Sequence, residues 1–209
     1  MKTGKIALRM LACAGTVAVF ATASPSWGQQ RSPETAGSER NTMTMKEDLA
    51  SRAIAIHWPE GFDPSTADLF SHNTLQIDAP CERVWQHIIE ATKWPEWYPN
   101  SKDVRILDGS SRLAAGGVFR WTTFGLPLES RINEFVPFSR IGWYGYAPGA
   151  PPAFYHTWYL QPQSGGCLAV TDEAGKGSDA RHLRETDEGL MHRGHDLWLA
   201  TLRWVSENK

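Results

Sequence analysis

Between residues 71 and 175, apolar and polar side chains alternate over short segments, as they do in half-buried β-strands. The first such segment, HNTLQIDA, alternates Leu75 and Ile77 with polar neighbours. Six further strands are predicted at about 103–108, 117–125, 128–136, 140–147, 153–162 and 166–175. Most of the gaps between them hold only a few residues and cannot contain a crossover helix, so neighbouring strands should pair antiparallel. This pattern excludes a parallel Rossmann or flavodoxin sheet.

Helical periodicity replaces the alternation in two places. The first follows the first strand, where Pro80 and Glu82 suit the opening turn of a helix. Its apolar side chains recur at helical spacing and are Val84, Trp85, Ile88 and Ile89. The segment WPEWYP that follows contains Pro95 and Pro99, so it predicts only a second, short turn of helix.

The second helical region begins after Gly177 and continues to Ser206. One stripe of it is apolar and consists of Met191, Trp198, Leu202 and Val205. Gly189 and Gly194 each weaken a helix by about 1 kcal/mol relative to alanine. They predict a kink, or a start delayed to about Asp187.

Together these elements predict an α+β fold. A seven-stranded antiparallel sheet has an apolar face to cover, and only the C-terminal helix is long enough to cover it. We therefore expect a curved sheet wrapped around that long helix, with two short helices after the first strand closing part of the open end. A cavity should remain between the sheet and the helix.

The first 28 residues predict a secretory signal peptide. Three basic residues precede an apolar stretch from Met10 to Ala23, and small residues at Ser26 and Gly28 suit cleavage near Gly28. A cut after Ala23 is the alternative. The predicted location is therefore secreted or periplasmic. Because the apolar stretch is shorter than the roughly 20 residues of a membrane-spanning helix, no stable membrane span is expected after its removal.

The segment before the predicted sheet divides into two parts. Residues 29–46 are polar and nearly free of large apolar side chains, which predicts a disordered leader. Thr44 and Glu47 have the spacing of a capping box ahead of apolar residues. Residues 47–70 are accordingly predicted to form a short helix and a strap that lies on the domain spanning 71–206.

The composition is that of one soluble globular domain, since 41% of the 209 residues are hydrophobic and 21% are charged. The formal net charge is −2, and no block of Lys or Arg is long enough to track a phosphate backbone. Nucleic acid is therefore not an expected partner. Tryptophan is the one residue type present in excess, with ten in the chain, and its side chain suits the wall of a pocket as well as a core.

Several segments occur together in an order that is typical of one superfamily. They are APCERVWQHIIEATKWPEWYPNS, GGVFRWTTFG, INEFVP, IGWYGYAPG, YHTWYLQP and MHRGHDLWLATL. Through them residues 71–206 resemble the START, polyketide-cyclase and pollen-allergen superfamily (SRPBCC), in its polyketide cyclase/dehydrase-like branch. The resemblance implies the helix-grip fold and an apolar ligand cavity, and it does not name the ligand.

The resemblance also bears on the two cysteines that follow the signal peptide. In this superfamily the first strand lies beside the last, antiparallel. Cys81, just past the end of the first strand, would then lie near Cys167, at the start of the last. A disulfide between them is thus implied, in a compartment that permits one. Two buried, unpaired thiols are the alternative.

Alternation assigns a face to each strand residue, because residues two apart share a face. The residues assigned inward are Phe119, Trp121, Thr123, Ile141, Trp143, Phe154, His156, Trp158, Leu160, Leu168 and Val170. The residues predicted to contact a ligand are Trp97, Phe119, Trp121, Trp143, His156, Trp158, Met191, His195 and Trp198. This set is aromatic and carries few polar groups.

Histidines are the candidate acid–base residues, at His156 and His195. For His156, a neutral buried imidazole and a ligand-binding imidazole are the alternatives. Asp172 and Glu173 lie near the end of the last strand, but the pattern pairs neither with a base. His192 and His195 have a spacing that could share a metal ion, yet the sequence shows no third ligand. No metal site and no cofactor are therefore predicted.

Two functions from different classes agree with these observations. One is a secreted, cofactor-free binding module that encloses a hydrophobic or aromatic small molecule. The other is a cyclase or dehydratase in which His156 or His195 moves a proton while the cavity excludes water. A protein whose groove is filled by its own leader or by another protein is a third alternative. The sequence lacks a G-x-S-x-G elbow, a phosphate loop and an H-E-x-x-H motif.

Overall fold

Seven antiparallel strands form one sheet in the computed structural model, which describes residues 43–52 and 55–208. The strands are β1 (Leu69–Ile77), β2 (Ser101–Ile106), β3 (Val118–Thr123), β4 (Leu126–Val136), β5 (Arg140–Tyr146), β6 (Phe154–Gln163) and β7 (Gly166–Gly175). Their order across the sheet is β1-β7-β6-β5-β4-β3-β2. The antiparallel sheet predicted from the short gaps is confirmed. The predicted signal peptide, most of the predicted leader and residues 53–54 lie outside the described residues.

The described residues also form four α-helices, which are α1 (Met45–Ser51), α2 (Cys81–Ile89), α3 (Ser178–Asp187) and α4 (Leu190–Asn208). With the 3₁₀ helix Ala91–Glu96, α2 supplies the two short helices predicted after the first strand. The interruption predicted near Asp187 separates α3 from α4. Among the described residues, no helix combines the length and the apolar content needed to cross a membrane.

The main core lies between the sheet and α4. Leu202 and Val205 of α4 are buried together with Val84 and Ile88 of α2 and with the inward side chains of the sheet. Burying each side chain of this kind contributes roughly 1.5–3 kcal/mol. This packing holds the long helix against the sheet, and the chain has the α+β helix-grip fold that the sequence predicts.

The opposite face of the sheet is covered as well, by the segment that precedes β1. Tyr159 and Val170 pack there against Ile56, and Tyr155 packs against Phe62. The strands β6 and β7 therefore have apolar neighbours on both faces. The strap predicted over 47–70 covers this second surface.

The inward assignment of Leu168 and Val170 is wrong. In the sheet, Trp158 of β6 lies opposite Thr171 of β7, and Tyr159 lies opposite Val170. Residues that lie opposite each other share a face, so Thr171 faces α4 while Val170 and Leu168 face the N-terminal segment. Because both faces of β7 are covered, the apolar character of its residues does not identify the inner face.

The capping box predicted at the start of α1 is confirmed. The Glu47 carboxylate accepts a hydrogen bond from the Thr44 backbone N–H at 2.8 Å, and the Thr44 hydroxyl accepts one from the Glu47 N–H at 3.4 Å. On the buried side of α1, Asp48 lies 2.9 Å from Nδ1 of His192 on α4. Burial alone would lower the pKa of His192, but this hydrogen bond and the nearby carboxylates raise it. His192 therefore ties α4 to α1.

A disulfide joins Cys81, the first residue of α2, to Cys167 in β7. Their Cα atoms are 5.0 Å apart, within the range that such a bond requires. They meet because β1 pairs with β7 and brings Ile77 opposite Cys167. This is the strand pairing that the superfamily resemblance implied.

Candidate functional site

A cavity of about 230 Å³ lies between α4 and the sheet. Six of the nine residues predicted to contact a ligand lie in its wall, and they are Trp121, Trp143, His156, Met191, His195 and Trp198. Tyr98 and Phe154 are further aromatic members of the wall. The hollow expected from the order of the elements is therefore present.

Stacked rings form the aromatic part of the wall. Trp198 of α4 stacks on Tyr98 with ring centroids 4.5 Å apart and planes 2° from parallel. Trp143 of β5 stacks on His156 of β6 at 4.6 Å and 13°. Burial raises the pKa of Tyr98 to about 12, so its phenol stays protonated. The aromatic part of the wall is thus uncharged.

Phe124, in the turn between β3 and β4, and Leu126, the first residue of β4, mark the edge where the cavity meets solvent. They line it while remaining 39% and 62% exposed. Opposite them on α4 is Gly194, where an added Cβ atom would lie 2.2 Å from Cζ of the Phe124 ring. The glycine that weakens α4 therefore makes room for the Phe124 ring at the rim.

Polar groups converge at one point of the wall, from three different elements. Oε2 of Glu173 on β7 lies 3.0 Å from Nε2 of His195 on α4 and 3.3 Å from Nδ1 of His156 on β6. The far ring nitrogen of each histidine contacts a hydroxyl. Nδ1 of His195 is 2.9 Å from Ser71 Oγ, and Nε2 of His156 is 3.1 Å from Thr171 Oγ1. We call His156, Glu173 and His195 the His–Glu–His cluster.

The charge of this cluster rests on Glu173. Burial alone would raise the pKa of Glu173, but the hydrogen bonds from His156 and His195 outweigh burial and lower it to about 2. Burial lowers the pKa of His156 to about 4, against the opposing effect of the carboxylate. At neutral pH the cluster thus presents an ionised carboxylate beside a neutral His156 imidazole. It can accept a proton or bind a cation.

The expectation that Asp172 and Glu173 lack a basic partner is wrong. Glu173 faces the cavity and meets two histidines, and Asp172 faces the other way and lies 2.6 Å from Nδ1 of His72. Burial raises the pKa of Asp172, although the hydrogen bond with His72 opposes this. These three histidines lie on β6, α4 and β1, outside the reach of the local pattern around Asp172 and Glu173, which is why that pattern does not reveal them.

Three of the predicted ligand contacts lie elsewhere. Phe119 and Trp158 are fully buried in the main core, behind the lining residues. Trp97, the third, is half-buried and faces a separate depression that Lys93 and Val205 also line. The 3₁₀ helix turns Tyr98 rather than Trp97 towards the cavity.

Comparison with known proteins gives the family. The family described as polyketide cyclase / dehydrase and lipid transport matches residues 71–192, more than half of the chain. The chain belongs to this family. The superfamily resemblance drawn from its motifs is thereby confirmed. A comparison with curated proteins finds no match.

Solved structures share the fold of this polyketide cyclase/dehydrase family protein. Protein jhp0584 from Helicobacter pylori is 26% identical and aligns with a TM-score of 0.67 over 75% of this chain and 98% of its own. BexL, a di-domain ARO/CYC protein of the BE-7585A biosynthetic pathway, is 20% identical. It aligns with a TM-score of 0.53 over 69% of this chain and 52% of its own. StfQ, a di-domain ARO/CYC protein of the steffimycin biosynthetic pathway, is 17% identical. It aligns with a TM-score of 0.53 over 67% of this chain and 52% of its own. The last two likenesses establish the fold alone.

Proposed function

We propose that this protein binds a hydrophobic or aromatic small molecule in the cavity between the sheet and α4. The observation that carries the proposal is a hollow of about 230 Å³ walled by stacked aromatic rings. An apolar cavity of about 150 Å³ suffices to bind benzene. A compound of one or two rings is therefore of the right size.

The few polar groups of the wall would orient that compound. Glu173 accepts hydrogen bonds, so it favours a ligand with a hydroxyl or amine donor on its apolar frame. Ser130, whose Oγ accepts a hydrogen bond from Trp121 Nε1 at 3.1 Å, adds a hydroxyl donor. An apolar pocket with a small number of placed polar groups is the usual form of a small-molecule site.

Filling the cavity should weaken binding without unfolding the protein. Gly145 of β5 lines the cavity, and an added Cβ atom there would meet only Phe154 Cβ, at an ordinary 3.7 Å. In Gly145→Val we expect the affinity for the uncharged two-ring probe 1-naphthylamine, followed by its fluorescence, to fall about tenfold or more. The matched control Ala147→Val adds a similar side chain at an exposed position just beyond β5 and should leave the affinity unchanged. Equal affinities in both variants would place the probe outside this cavity.

A cyclase or dehydratase activity is the second candidate, and the His–Glu–His cluster favours it. A carboxylate beside imidazoles in an apolar cavity can remove a proton from a carbon between two carbonyl groups. Incubation with a linear poly-β-ketone thioester analogue distinguishes the candidates, since an enzyme forms a product that Glu173→Gln does not form. A binding protein returns the compound unchanged.

We also propose that the protein is exported to the periplasm or secreted. The N-terminal pattern supports export, and a disulfide bond agrees with an oxidising compartment. Intact-mass measurement of the protein from the exported fraction of its own host should give a chain that begins at Gln29, or at Ser24 for the alternative cut. Recovery of an uncleaved chain from the cytoplasm would contradict this. Native mass spectrometry of the same sample would show the mass of a retained ligand.

A further inference from the structure

We infer that the His–Glu–His cluster binds a divalent transition-metal ion such as Zn²⁺ or Fe²⁺ at the wall of the cavity. Two imidazoles and one carboxylate form a ligand set that proteins use for these ions. This inference goes beyond the proposed binding function, and it does not depend on it.

The separations of the ligand atoms suit one shared ion. Atoms that lie about 2.1 Å from a metal ion are about 3.0 Å apart at a right angle and about 3.4 Å apart at a tetrahedral angle. The Glu173 oxygen lies 3.0 Å and 3.3 Å from the nearest nitrogens of His195 and His156. All three ligand atoms lie within 4.8 Å of one another. An ion could replace the two present hydrogen bonds once the two histidine nitrogens stand within about 4.2 Å of each other, which is twice the length of one bond to the ion.

The surroundings of the histidines also suit metal binding. A ligating histidine usually donates its other ring N–H to an oxygen atom, which orients the ring and fixes its tautomer. Ser71 Oγ and Thr171 Oγ1 already stand at those positions, 2.9 Å and 3.1 Å from the far nitrogens. A hydroxyl can either donate or accept. The same two groups therefore support the metal-free cluster and the metal-bound one.

The carboxylate has free capacity for the ion as well. Glu173 Oε1 accepts no hydrogen bond from the described residues, so the carboxylate retains capacity for a cation.

Other histidine–carboxylate contacts in the described residues do not form such a group. His72 and Asp172 are a pair without a third ligand. The two nitrogens of His192 face different acids, Nδ1 towards Asp48 and Nε2 towards Asp196, so they cannot direct both acids to one ion. The two histidines of the metal pair considered from sequence, His192 and His195, therefore contact different carboxylates.

The position of the cluster leaves coordination sites facing the cavity. Three protein ligands leave at least one position of a tetrahedral ion open, as in catalytic rather than structural zinc sites. All three residues line the cavity. A cavity ligand with an oxygen donor would then reach the ion, so bound metal should change which small molecules the protein prefers.

The test is a calorimetric titration of the full, chelator-treated chain with Zn²⁺ alone. We expect one ion per chain. Glu173→Gln and His156→Gln should each weaken Zn²⁺ binding at least about 100-fold. Thr171→Val, which removes the hydroxyl beside Nε2 of His156, should weaken it about tenfold. The control His72→Gln removes a histidine from the outward-facing pair and should not change the affinity. No binding by the wild-type chain, or equal affinity in Glu173→Gln, would overturn the inference.

A second measurement does not depend on whether the variants fold. X-ray absorption of the Zn²⁺-loaded wild-type chain should show nitrogen and oxygen ligands with the scattering of two imidazoles. A sulfur ligand, or one imidazole only, would place the ion elsewhere and overturn the inference. The naphthylamine titration keeps the two proposals separate, because a chain that binds the probe but no Zn²⁺ fails this inference alone.

Discussion

Removal of the Cys81–Cys167 disulfide by the double change Cys81→Ala and Cys167→Ala should lower the free energy of unfolding by about 4 kcal/mol. The bond closes a loop between residues 86 apart in sequence, and a cross-link of that length removes much of the conformational freedom of the unfolded chain. Both cysteines are buried, so the change also leaves small voids. Since most domains are stable by about 5–15 kcal/mol, this is a large fraction of the total.

Denaturant unfolding of the exported protein, with and without a reductant, measures this effect. The reductant should destabilise the wild-type protein and leave the double variant unchanged, which serves as the control for other actions of the reductant. Thiol counting gives an independent result, since Cys81 and Cys167 should be untitratable until reduction. Two titratable thiols in the unreduced mature protein would contradict the expectation.

Truncation of Trp198 to alanine should cost about 3–5 kcal/mol of stability. Trp198 is 3% exposed and stands at the centre of the aromatic cluster. Its ring contacts six others, and they belong to Trp94, Tyr98, Trp121, Trp143, His156 and Trp158. Because these six rings come from the 3₁₀ helix and the segment just after it and from the sheet, the truncation opens the junction that holds α4 in place.

The matched control lies on the same helix. Trp204 is 55% exposed, so Trp204→Ala should cost about 1 kcal/mol or less. Chemical denaturation of both variants gives the comparison, and near-UV circular dichroism should lose intensity mainly in Trp198→Ala. Equal destabilisation by the two changes would mean that the cluster around Trp198 contributes little.

Local patterns anticipated most of the elements. The short gaps between alternating segments identified antiparallel strands, and the spacing of Thr44 and Glu47 identified the start of α1. The stripe through Met191, Trp198 and Val205 identified the buried side of α4. Each of these features depends on residues close in sequence, so the pattern contains the relevant information.

The candidate site was anticipated only in part. His156 and His195 could be singled out as polar residues among aromatic ones, but Glu173 could not be joined to them. Its contact with His156 follows from the register of β6 and β7, which places the two residues opposite each other. The hydrophobic pattern favoured the wrong face of β7, since Leu168 and Val170 are apolar because the N-terminal segment covers them.

By itself, the sequence determined the type, order and approximate bounds of the elements, because periodicity, capping and turn chemistry act over a few residues. Only the tertiary structure decided which side chains meet across the sheet and α4. A one-residue change of strand register turns every side chain of a strand to the other face. Because both faces of β6 and β7 are covered, their sequences lack the contrast between apolar and polar faces that would reveal the register. The His–Glu–His cluster and the rim formed by Gly194 and Phe124 are contacts of this long-range kind.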